Sequence, residues 1–468
     1  MIAKEIATGR IAGPFESPSF LHFKSSPLSL REKSVAGKYR LIHNLSYPHD
    51  ERSVNHNIPQ HYKTVHYENI STAVNIIQKS TYPAYLSKSD IQDAFRLIPL
   101  HKTQYHLTGF SWRNKLYYDK VLPQGCGSSC RIFESFSDGI KWILTNKLAC
   151  KNVVKILDDF LLIGDTKHEC QRYLNNLIAL SDEIGLPLSP HKTVEPTTKL
   201  TFLGIELDTR AMVARLPKDK LEKYRSELKK WSSSHYITLR ELQSLTGKLQ
   251  FATCVIKTGK AFLTRLYTLT KGQTNPDSKI RITQGVREDL KIWIQFVDQY
   301  NGTTIINVLP KKDSECLHFF SDASKREFGA TFGATWVHGI WPERWKKLDI
   351  MVLEMYPIYL MISLYSNQLA NTRVVFHTDN LPNVYHVNNK TSSNSDVMRI
   401  IRALVLVLLT HNIHLTARHI PGIKNVLSDA ISRSQVTKKL LKQFGMHQNP
   451  LTIPPHLLPE NFAAFKKT

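Results

Sequence analysis

Apolar residues follow two different periods along the chain. In residues 37–207, short strand-like apolar runs alternate with helical stretches, which favours an α/β or α+β arrangement. In residues 217–272 the pattern becomes helical, and Thr238-Leu-Arg-Glu241 has the form of a capping box. An apolar stripe continues from that box through Leu239, Leu242, Leu245 and Leu249. A loop at 270–279 then leads into a helix whose apolar face is formed by Leu290, Trp293, Ile294 and Val297.

A second region of mixed pattern starts at Cys316. The segments CLHFFSDAS and FGATFGATW predict strands, and residues 353–369 predict a helix with Pro357 in its first turn, where proline is tolerated. RVVFHTDN predicts a strand, residues 396–411 an apolar helix, and IHLTARHI a last strand. Strands and helices alternate here as they do in an α/β domain.

The length of 468 residues corresponds to about three domains. The pattern divides the chain into six expected segments. They are an extended lead-in at 1–35, a mixed region at 36–210, a helical region at 211–275, a connection at 276–315, a second mixed domain at 316–434, and a basic, proline-containing, partly disordered tail at 435–468.

Charge is the informative part of the composition. Lys and Arg number 62 against 39 Asp and Glu, a formal net charge of +23, with a pI near 9.6. A polyanionic partner, nucleic acid first, is the favoured explanation, and a basic surface without function is the alternative. Six cysteines without a Cys-x-x-Cys pair indicate reduced thiols and no zinc knuckle. The apolar runs are too short for a membrane span, and the N-terminus lacks a signal-peptide core, so an intracellular protein of the cytoplasm or nucleus is expected.

Two sets of carboxylates stand out because acids are scarce. In VVKILDDFLLIG (153–164), two β-type runs flank Asp158 and Asp159, and Asp90 ends another strand-like run, AYLSKSD. Taken alone, the first pair is better explained by a plain hairpin with an Asp-Asp turn. With Asp90 beside it, the set is suited to holding two Mg²⁺ ions for phosphoryl transfer, with Mn²⁺ as the alternative ion.

The order of these residues resembles the palm of reverse transcriptases. The order is Asp90, Gln124-Gly125, Asp158-Asp159, Lys192 and then Phe202-Leu203-Gly204. The resemblance implies that Asp90 and Asp158 bind the metals, that Asp159 supports the site, and that Gln124, Gly125 and Lys192 contact template or nucleotide. Ile156 stands where retroviral members have an aromatic residue.

Three further residues have roles that the same resemblance implies. Phe95 falls where the family has an aromatic gate against the ribose 2′-hydroxyl, and a core phenylalanine is its alternative. Lys38 and Arg40 in GKYRLI resemble the fingers residues that grip the triphosphate. A solvated basic face is the alternative for these two charges.

The second set is Asp322, Glu354, Asp379 and Asp429. Each alone suits a strand-end turn, an Asx turn or a helix cap. In the order Asp, Glu, Asp, Asp on strand, helix, strand and helix, they resemble ribonuclease H, whose four carboxylates hold two Mg²⁺ ions. His419 resembles the mobile histidine of that family, a candidate proton shuttle or product-release group.

Together, the resemblances cover roughly residues 10–434 and imply an α+β multidomain polymerase: fingers, palm and helical thumb, followed by a ribonuclease H-like α/β domain. KYRLIHNLSYPHDERSVNHNIP and ARHIPGIKNVLSDAISR look most like retrotransposons of the DIRS type, which use a tyrosine recombinase. The implied partners are an RNA template, a DNA primer, an RNA–DNA hybrid and deoxynucleoside triphosphates. No sequence feature fixes an oligomeric state. The family usually has more sequence upstream, so a fragment, a processed unit or a degraded copy is expected.

Two other functions stay open at this point. One is a catalytically inactive, retroelement-derived nucleic-acid-binding protein, and the other is a chain that keeps only the nuclease. The presence of all seven acids argues against the first.

Overall fold

The computed structural model describes residues 1–32, 37, 39–299, 316–370, 372–411 and 413–462. The chain divides into two compact units, Met1–Ala214 and Arg215–Thr468. The acids of the first set all lie in the first unit, and those of the second set lie in the second.

The first unit alternates short strands with helices. Its elements are α1 (Ile2–Ala7), β1 (Ile11–Phe15), β2 (Leu28–Glu32), β3 (Tyr39–His43), α2 (Gln60–Lys63), α3 (Ile70–Lys79), β4 (Tyr85–Asp90), β5 (Gly109–Trp112), β6 (Lys115–Asp119), α4 (Ser129–Asn146), β7 (Val153–Ile156), β8 (Asp159–Gly164), α5 (Lys167–Glu183), β9 (Val194–Thr197), β10 (Lys199–Phe202), β11 (Ile205–Asp208) and, at the boundary, β12 (Val213–Arg215).

A four-stranded sheet in the order β7-β8-β4-β9 forms the centre of this unit. Strand β8 is a continuous apolar run that is buried along its length from Phe160 to Ile163, as expected for a strand covered on both faces. Helices α4 and α5 supply much of the covering core through Phe133, Ile140, Tyr173, Leu174 and Leu177. The strand ends, where the acids lie, are therefore attached to a sheet that is packed against a buried core.

The first 32 residues are not the extended lead-in that the sequence predicts. Helix α1 packs with Ile2 and Ile6 against a small core that includes Ile11 and Phe110. Strand β1 pairs antiparallel with β6, with Ile11 opposite Asp119. The pairing partner lies about a hundred residues away in sequence, so no local pattern reveals it.

The second unit begins with helices and ends with a mixed α/β sheet. Its elements are α6 (Lys218–Ser233), β13 (Tyr236–Thr238), α7 (Leu239–Ala252), α8 (Thr264–Thr270), β14 (Lys279–Arg281), α9 (Gln284–Gln299), β15 (Leu317–Ala323), β16 (Glu327–Phe332), β17 (Thr335–Ile340), α10 (Glu343–Lys346), α11 (Ile350–Leu364), β18 (Arg373–Thr378), α12 (Leu381–Asn389), α13 (Ser395–Thr410), β19 (His414–His419), α14 (Val426–Ser432) and α15 (Lys438–Gln443).

The helical pattern of residues 217–272 is confirmed. The capping box forms as predicted: the Thr238 side chain accepts from the amide of Glu241, and the Glu241 side chain accepts from that of Thr238. All four leucines of the stripe on α7 are buried. The expected connection is described only in part, by β14 and α9, and its residues 300–315 lie outside the described ranges.

A five-stranded sheet in the order β17-β16-β15-β18-β19 carries the second set of acids. Strand β15 is central, antiparallel to β16 and parallel to β18, and β18 is parallel to β19. Helix α11 contacts one face, where Tyr365, just after it, packs on Phe319. Helix α14 contacts the other face. There Ile431 packs against Gly329 so closely that a β-carbon at position 329 would lie 2.5 Å from it.

Helix α11 differs from the predicted helix at 353–369. It begins at Ile350 because Asp349 caps it, accepting a hydrogen bond from the amide of Met351 at 2.8 Å. Pro357 therefore lies inside the helix. Since proline has no amide hydrogen, the carbonyl four residues earlier loses its helical donor.

The tail is described as far as residue 462, and this part of it lies against the rest of the second unit. It covers the outer strand β17: the amide of Leu451 donates to the carbonyl of Trp336 at 2.8 Å, and Trp336 Nε1 donates to the carbonyl of His447 at 2.9 Å. Farther along, Tyr356 Oη donates to the carbonyl of Leu457 at 2.6 Å. Covering an edge strand protects its unpaired backbone groups.

The six cysteines are unpaired, in agreement with the expectation of free thiols. Within the described ranges, no helix combines the length and apolar character needed to cross a bilayer.

Candidate active sites

The double aspartate of the first unit lies at the tip of the β7–β8 hairpin. Ile156 pairs with Asp159, so Leu157 and Asp158 are the two turn residues and Asp159 is the first residue of β8. The alternative placed Asp158 and Asp159 in the turn, and it is wrong because the turn residues are Leu157 and Asp158. Leu157 has a φ of +51°, a left-handed conformation that is costly for a residue with a β-carbon. Such outliers concentrate at functional sites.

Asp90 meets this turn at the end of β4. It lies opposite Asp159 in the antiparallel ladder, and the amide of the next residue, Ile91, donates to the carbonyl of Asp158 at 2.9 Å. The Asp90 carboxylate accepts from Lys192 Nζ at 2.8 and 2.9 Å and from Ser189 Oγ at 3.0 Å. The structure thus brings together four of the predicted residues: Asp90, Asp158, Asp159 and Lys192.

These acids repel one another when ionised. Burial raises the pKa of the Asp158 carboxyl, and the charge of Asp90 adds to the effect. Burial, with the charges of Asp158 and Asp90, raises the pKa of Asp159 to about 6. Partial burial alone would lower the pKa of Lys192, but its hydrogen bond to Asp90 and the other two acids outweigh that effect and raise it. The cluster therefore carries negative charge that a cation would relieve.

The Gln124-Gly125 loop is fixed against β3. The amide of His43 donates to the carbonyl of Gln124 at 2.7 Å, and Asn55 Nδ2 donates to the carbonyl of Gly125 at 2.9 Å. Gly125 has a φ of +126°, and a β-carbon there would lie 2.1 Å from the carbonyl oxygen of His43. Only glycine fits this position.

Arg40 lies on β3, with its side chain exposed. Its charge is close enough to Asp158 to act toward lowering that carboxyl's pKa, although burial and Asp90 still leave the pKa raised. The assignment of Arg40 to the nucleotide side of the site stays a prediction. Lys38, the other predicted triphosphate contact, lies outside the described residues.

Phe95 is half-buried in a short 3₁₀ turn just after Asp90. Its ring packs edge-to-face on Phe133, with 5.4 Å between centroids, and it borders the core of the first unit. The two residues before it, Asp93 and Ala94, both have positive φ, so the turn bends sharply after β4. The role of Phe95 as a gate stays a prediction, because a half-buried ring is compatible with both interpretations.

Sequence reasoning missed the residues of α4 that hold the hairpin turn. Glu134 Oε2 accepts from the amide of Leu157 at 2.8 Å, and Ser137 Oγ donates to its carbonyl at 2.7 Å. Lys155, almost fully buried, pairs with Glu134 Oε1 at 2.8 Å. The available signal was a lysine inside the apolar run VVKIL, since a buried lysine needs an acidic partner.

In the second unit, Asp322 lies on the central strand β15, opposite Gly329 on β16. Its carboxylate accepts a hydrogen bond from Ser432 Oγ on α14. Burial raises its pKa, and the charges of Asp379 and Asp429 act in the same direction. Asp379 directly follows β18, the parallel neighbour of β15.

Glu354 and Asp429 reach the same region from two helices. Glu354 lies in the second turn of α11, not at the helix start that the sequence predicts. Burial, assisted by the charge of Asp379, raises its pKa to about 8. Asp429, in the first turn of α14, accepts from Arg433 Nε at 2.7 Å.

His419 ends β19 and is exposed. Its ladder partner is Thr378, the residue just before Asp379. The structure thus places His419 one strand away from the acids, and its function as a proton shuttle stays a prediction.

Both acid sets suit Mg²⁺ in their donor chemistry, since carboxylate oxygens are its preferred protein ligands. Glu354 Oε2 is buried and finds no hydrogen-bond donor within the described ranges, so this oxygen fits the role of a cation ligand. Asp90 is paired with Lys192 instead. Nowhere in the described part of the chain do three or more His, Cys, Asp or Glu side chains converge tightly enough to form a metal-binding group.

The first unit resembles a polymerase palm in the placement of its acids, and sequence comparison gives a similarity of the same kind. Residues 30–207 match the family model described as Reverse transcriptase (RNA-dependent DNA polymerase). The chain is 25% identical over 374 residues to an enzymatic polyprotein of Cassava vein mosaic virus, covering 76% of this chain and 54% of the polyprotein. It is 27% identical over 186 residues to the Pro-Pol polyprotein of Feline foamy virus, covering 40% of this chain and 15% of that protein. The chain is thus similar to viral reverse transcriptases and spans about half the length of the first relative.

Solved structures give the same fold. A foamy viral protease-reverse transcriptase in complex with double-stranded DNA aligns with a TM-score of 0.52, at 17% identity, covering 89% of this chain and 68% of that one. A complex of the foamy viral enzyme with an RNA/DNA hybrid aligns with a TM-score of 0.51, at 16% identity, covering 89% and 52%. The predicted multidomain α+β polymerase fold is confirmed.

Proposed function

We propose that this chain is an RNA-directed DNA polymerase that extends a DNA primer with deoxynucleoside triphosphates. One observation carries the proposal: Asp90 and Asp159 are opposite each other in the ladder, with Asp158 in the adjoining turn, inside the span that matches the reverse transcriptase model. When bound there, Mg²⁺ would stabilise the charge that develops as the primer 3′-hydroxyl displaces pyrophosphate.

The chain's own residues would position the reactants. Asp90 and Asp158 would hold the ions, and Lys192 would release the Asp90 carboxylate as they bind. Arg40, near Asp158, would neutralise the triphosphate. The glycine loop at Gly125 would let template or nucleotide approach the backbone closely. Positioning and electrostatics supply most of the rate in phosphoryl transfer.

We further propose that the second unit cleaves RNA in an RNA–DNA hybrid. Asp322 and Asp379 on neighbouring parallel strands, with Glu354 and Asp429 from two helices, would hold a second pair of Mg²⁺ ions. His419 would assist proton transfer or product release. The basic character of the whole chain, +23, would bind phosphates on both strands, so affinity should fall as salt rises.

The source that fits these features is a retrotransposon of the tyrosine-recombinase, DIRS-like type. The segments KYRLIHNLSYPHDERSVNHNIP and ARHIPGIKNVLSDAISR support this assignment. A biochemical assay on this chain does not test the subtype. The test is to sequence the genomic element around it: a tyrosine recombinase gene there would support the DIRS-like type, and its absence would contradict it.

The deciding experiment is extension of labelled oligo-dT on poly-rA with Mg²⁺, with EDTA, and with Mn²⁺, alongside cleavage of a labelled RNA–DNA hybrid. Metal-dependent extension supports the polymerase, and metal-dependent cleavage supports the nuclease. Salt-sensitive binding without either reaction would favour the inactive nucleic-acid-binding protein. Cleavage without extension would favour a chain that keeps only the nuclease.

A further inference from the structure

We infer that Glu134 and Ser137 are positioning residues that clamp the Leu157–Asp158 turn and thereby set the location of the Asp158 carboxylate. This inference rests on the proposed polymerase function. It concerns residues that bond to the backbone of Leu157 and that are not among the predicted nucleotide or metal ligands.

The turn needs stabilising contacts because its first residue has a backbone conformation that is unfavourable for its residue type. A two-residue hairpin turn whose first residue has positive φ normally has glycine there. Here that residue is Leu157, with a φ of +51°. A leucine keeps this conformation only where its surroundings hold it there.

Helix α4 provides the support at two points, one turn apart. The Glu134 carboxylate accepts the amide hydrogen of Leu157, with 2.8 Å between Oε2 and N. The Ser137 hydroxyl lies 2.7 Å from the carbonyl oxygen of Leu157 and 3.0 Å from that of Phe133 in its own helix, and its one proton is directed to Leu157 over the shorter distance. Residues three apart on a helix lie on one face, so the backbone amide and the backbone carbonyl of Leu157 are both hydrogen-bonded from the same side.

Lys155 completes the clamp from β7. Its side chain, 1% exposed, pairs with Glu134 Oε1 at 2.8 Å and with Asp138 Oδ1 at 2.7 Å, and it donates to the carbonyl of Glu134 at 2.9 Å. The backbone amide of Lys155 is held in turn by Glu68 Oε2 at 2.8 Å. One oxygen of Glu134 is therefore fixed by the lysine, which leaves the other directed at the Leu157 amide.

This arrangement is more than a stabilising ion pair. A buried pair can usually be replaced by packed apolar side chains without loss of stability. Apolar side chains could not accept the Leu157 amide or donate to its carbonyl. The Asp158 carbonyl in turn accepts from Ile91, the residue after Asp90, so the clamped turn also fixes the spacing of the two predicted metal ligands.

The test compares Ser137→Ala with Ser135→Ala. Ser135 lies on the same helix, and its hydroxyl donates to the carbonyl of Arg131 within its own helix. Ser137→Ala should lower kcat for primer extension about 10- to 100-fold, since a displacement of about 1 Å costs rate on that scale. The KM for the nucleotide should stay within about twofold. Glu134→Gln, which keeps an accepting oxygen, should retain more activity than Glu134→Met.

Hydrogen–deuterium exchange of peptides covering 153–164 gives a readout that does not depend on activity. Exchange at the turn should be faster in Ser137→Ala than in Ser135→Ala, with thermal melts of both close to wild type. Equal exchange at the turn in the two variants would overturn the clamp. If the wild type itself does not extend a primer, the proposed function fails, and the exchange comparison still decides whether the clamp exists.

Discussion

Asp90 and Asp159 face each other across the antiparallel ladder of β4 and β8, and the amide of Ile91 joins the end of β4 to the carbonyl of Asp158. Two strands that are about seventy residues apart in sequence thus bring Asp90, Asp158 and Asp159 to neighbouring backbone positions at one edge of the sheet. Burial raises the pKa of both Asp158 and Asp159, and the charges of the neighbouring acids raise it further. A site of this kind gains stability when a cation enters.

We predict that Asp158→Asn abolishes primer extension while hybrid cleavage remains. The change removes a charge that the ions need, so the loss should be on the order of 10³-fold or more. Cleavage should persist because its acids lie in the other unit. The control is Asp182→Asn at an exposed position of α5. Extension by Asp158→Asn within a few-fold of this control would refute the metal role.

A second prediction concerns sugar selection. Phe95→Val should raise the incorporation of ribonucleotides relative to deoxyribonucleotides, because a smaller side chain leaves room for the 2′-hydroxyl. Phe136→Val is the matched control, since Phe136 also packs on Phe133, at 5.8 Å between ring centroids, and borders the same core. The measurement is the ratio of kcat/KM for a ribonucleotide and its deoxy counterpart. The same ratio in both variants would make Phe95 a core residue.

The sequence predicts much of this fold because local signals agree with it. The capping box at Thr238 forms as written, and strands β15, β18 and β19 lie where the apolar runs place them. The order of the acids along the chain also predicts which of them belong to the first unit and which to the second. These features depend on residues that are close together in sequence, or on spacing that the resemblance supplies.

What the sequence does not predict depends on distant contacts. Strand β1 forms because β6 pairs with it, and the tail residue Leu451 bonds to Trp336 on β17. In the sequence, Glu134 has no feature that distinguishes it from other helix residues. Its hydrogen bond to the amide of Leu157 is visible only in the structure. Lys192 was expected to contact nucleotide or template, and the structure pairs it with Asp90. Composition and periodicity contain no signal for such pairs.

In the second unit, Asp379→Asn should stop RNA cleavage and leave hybrid binding intact. Asp379 supplies charge at the end of β18 beside Asp322 on β15, and phosphate binding comes from the basic surface. The measurements are a gel assay in Mg²⁺, salt-dependent binding, and a thermal melt. Normal cleavage would refute the metal role, and a collapsed melt would favour the alternative of a structural Asx turn.

Glu354 should make the stability of the metal-free second unit depend on pH. Burial of the carboxyl, with the charge of Asp379 adding to the effect, raises its folded pKa from the ordinary 4.5 to about 8. Between these values the folded state keeps a proton that the unfolded state has lost. The contribution of Glu354 to stability is therefore largest below about pH 4.5 and is lost as the pH rises toward 8. The loss is on the order of several kcal/mol, since each pKa unit corresponds to about 1.4 kcal/mol.

The measurement for this last prediction is the melting temperature of the second unit in EDTA from pH 5 to 9. Glu354→Gln should flatten the decline, because glutamine does not titrate and mimics the size of the protonated acid. The matched control is Glu343→Gln on α10, since Glu343 is exposed, pairs with Lys346, and has a lowered pKa from its hydrogen bond to that lysine. Mg²⁺ should raise the melting temperature of the wild type most at pH 8–9, where the Glu354 carboxylate is ionised and its unpaired Oε2 can meet a cation. An equal slope in wild type and Glu354→Gln would show that Glu354 titrates normally, and with it the argument for a buried acid that requires a cation would fail.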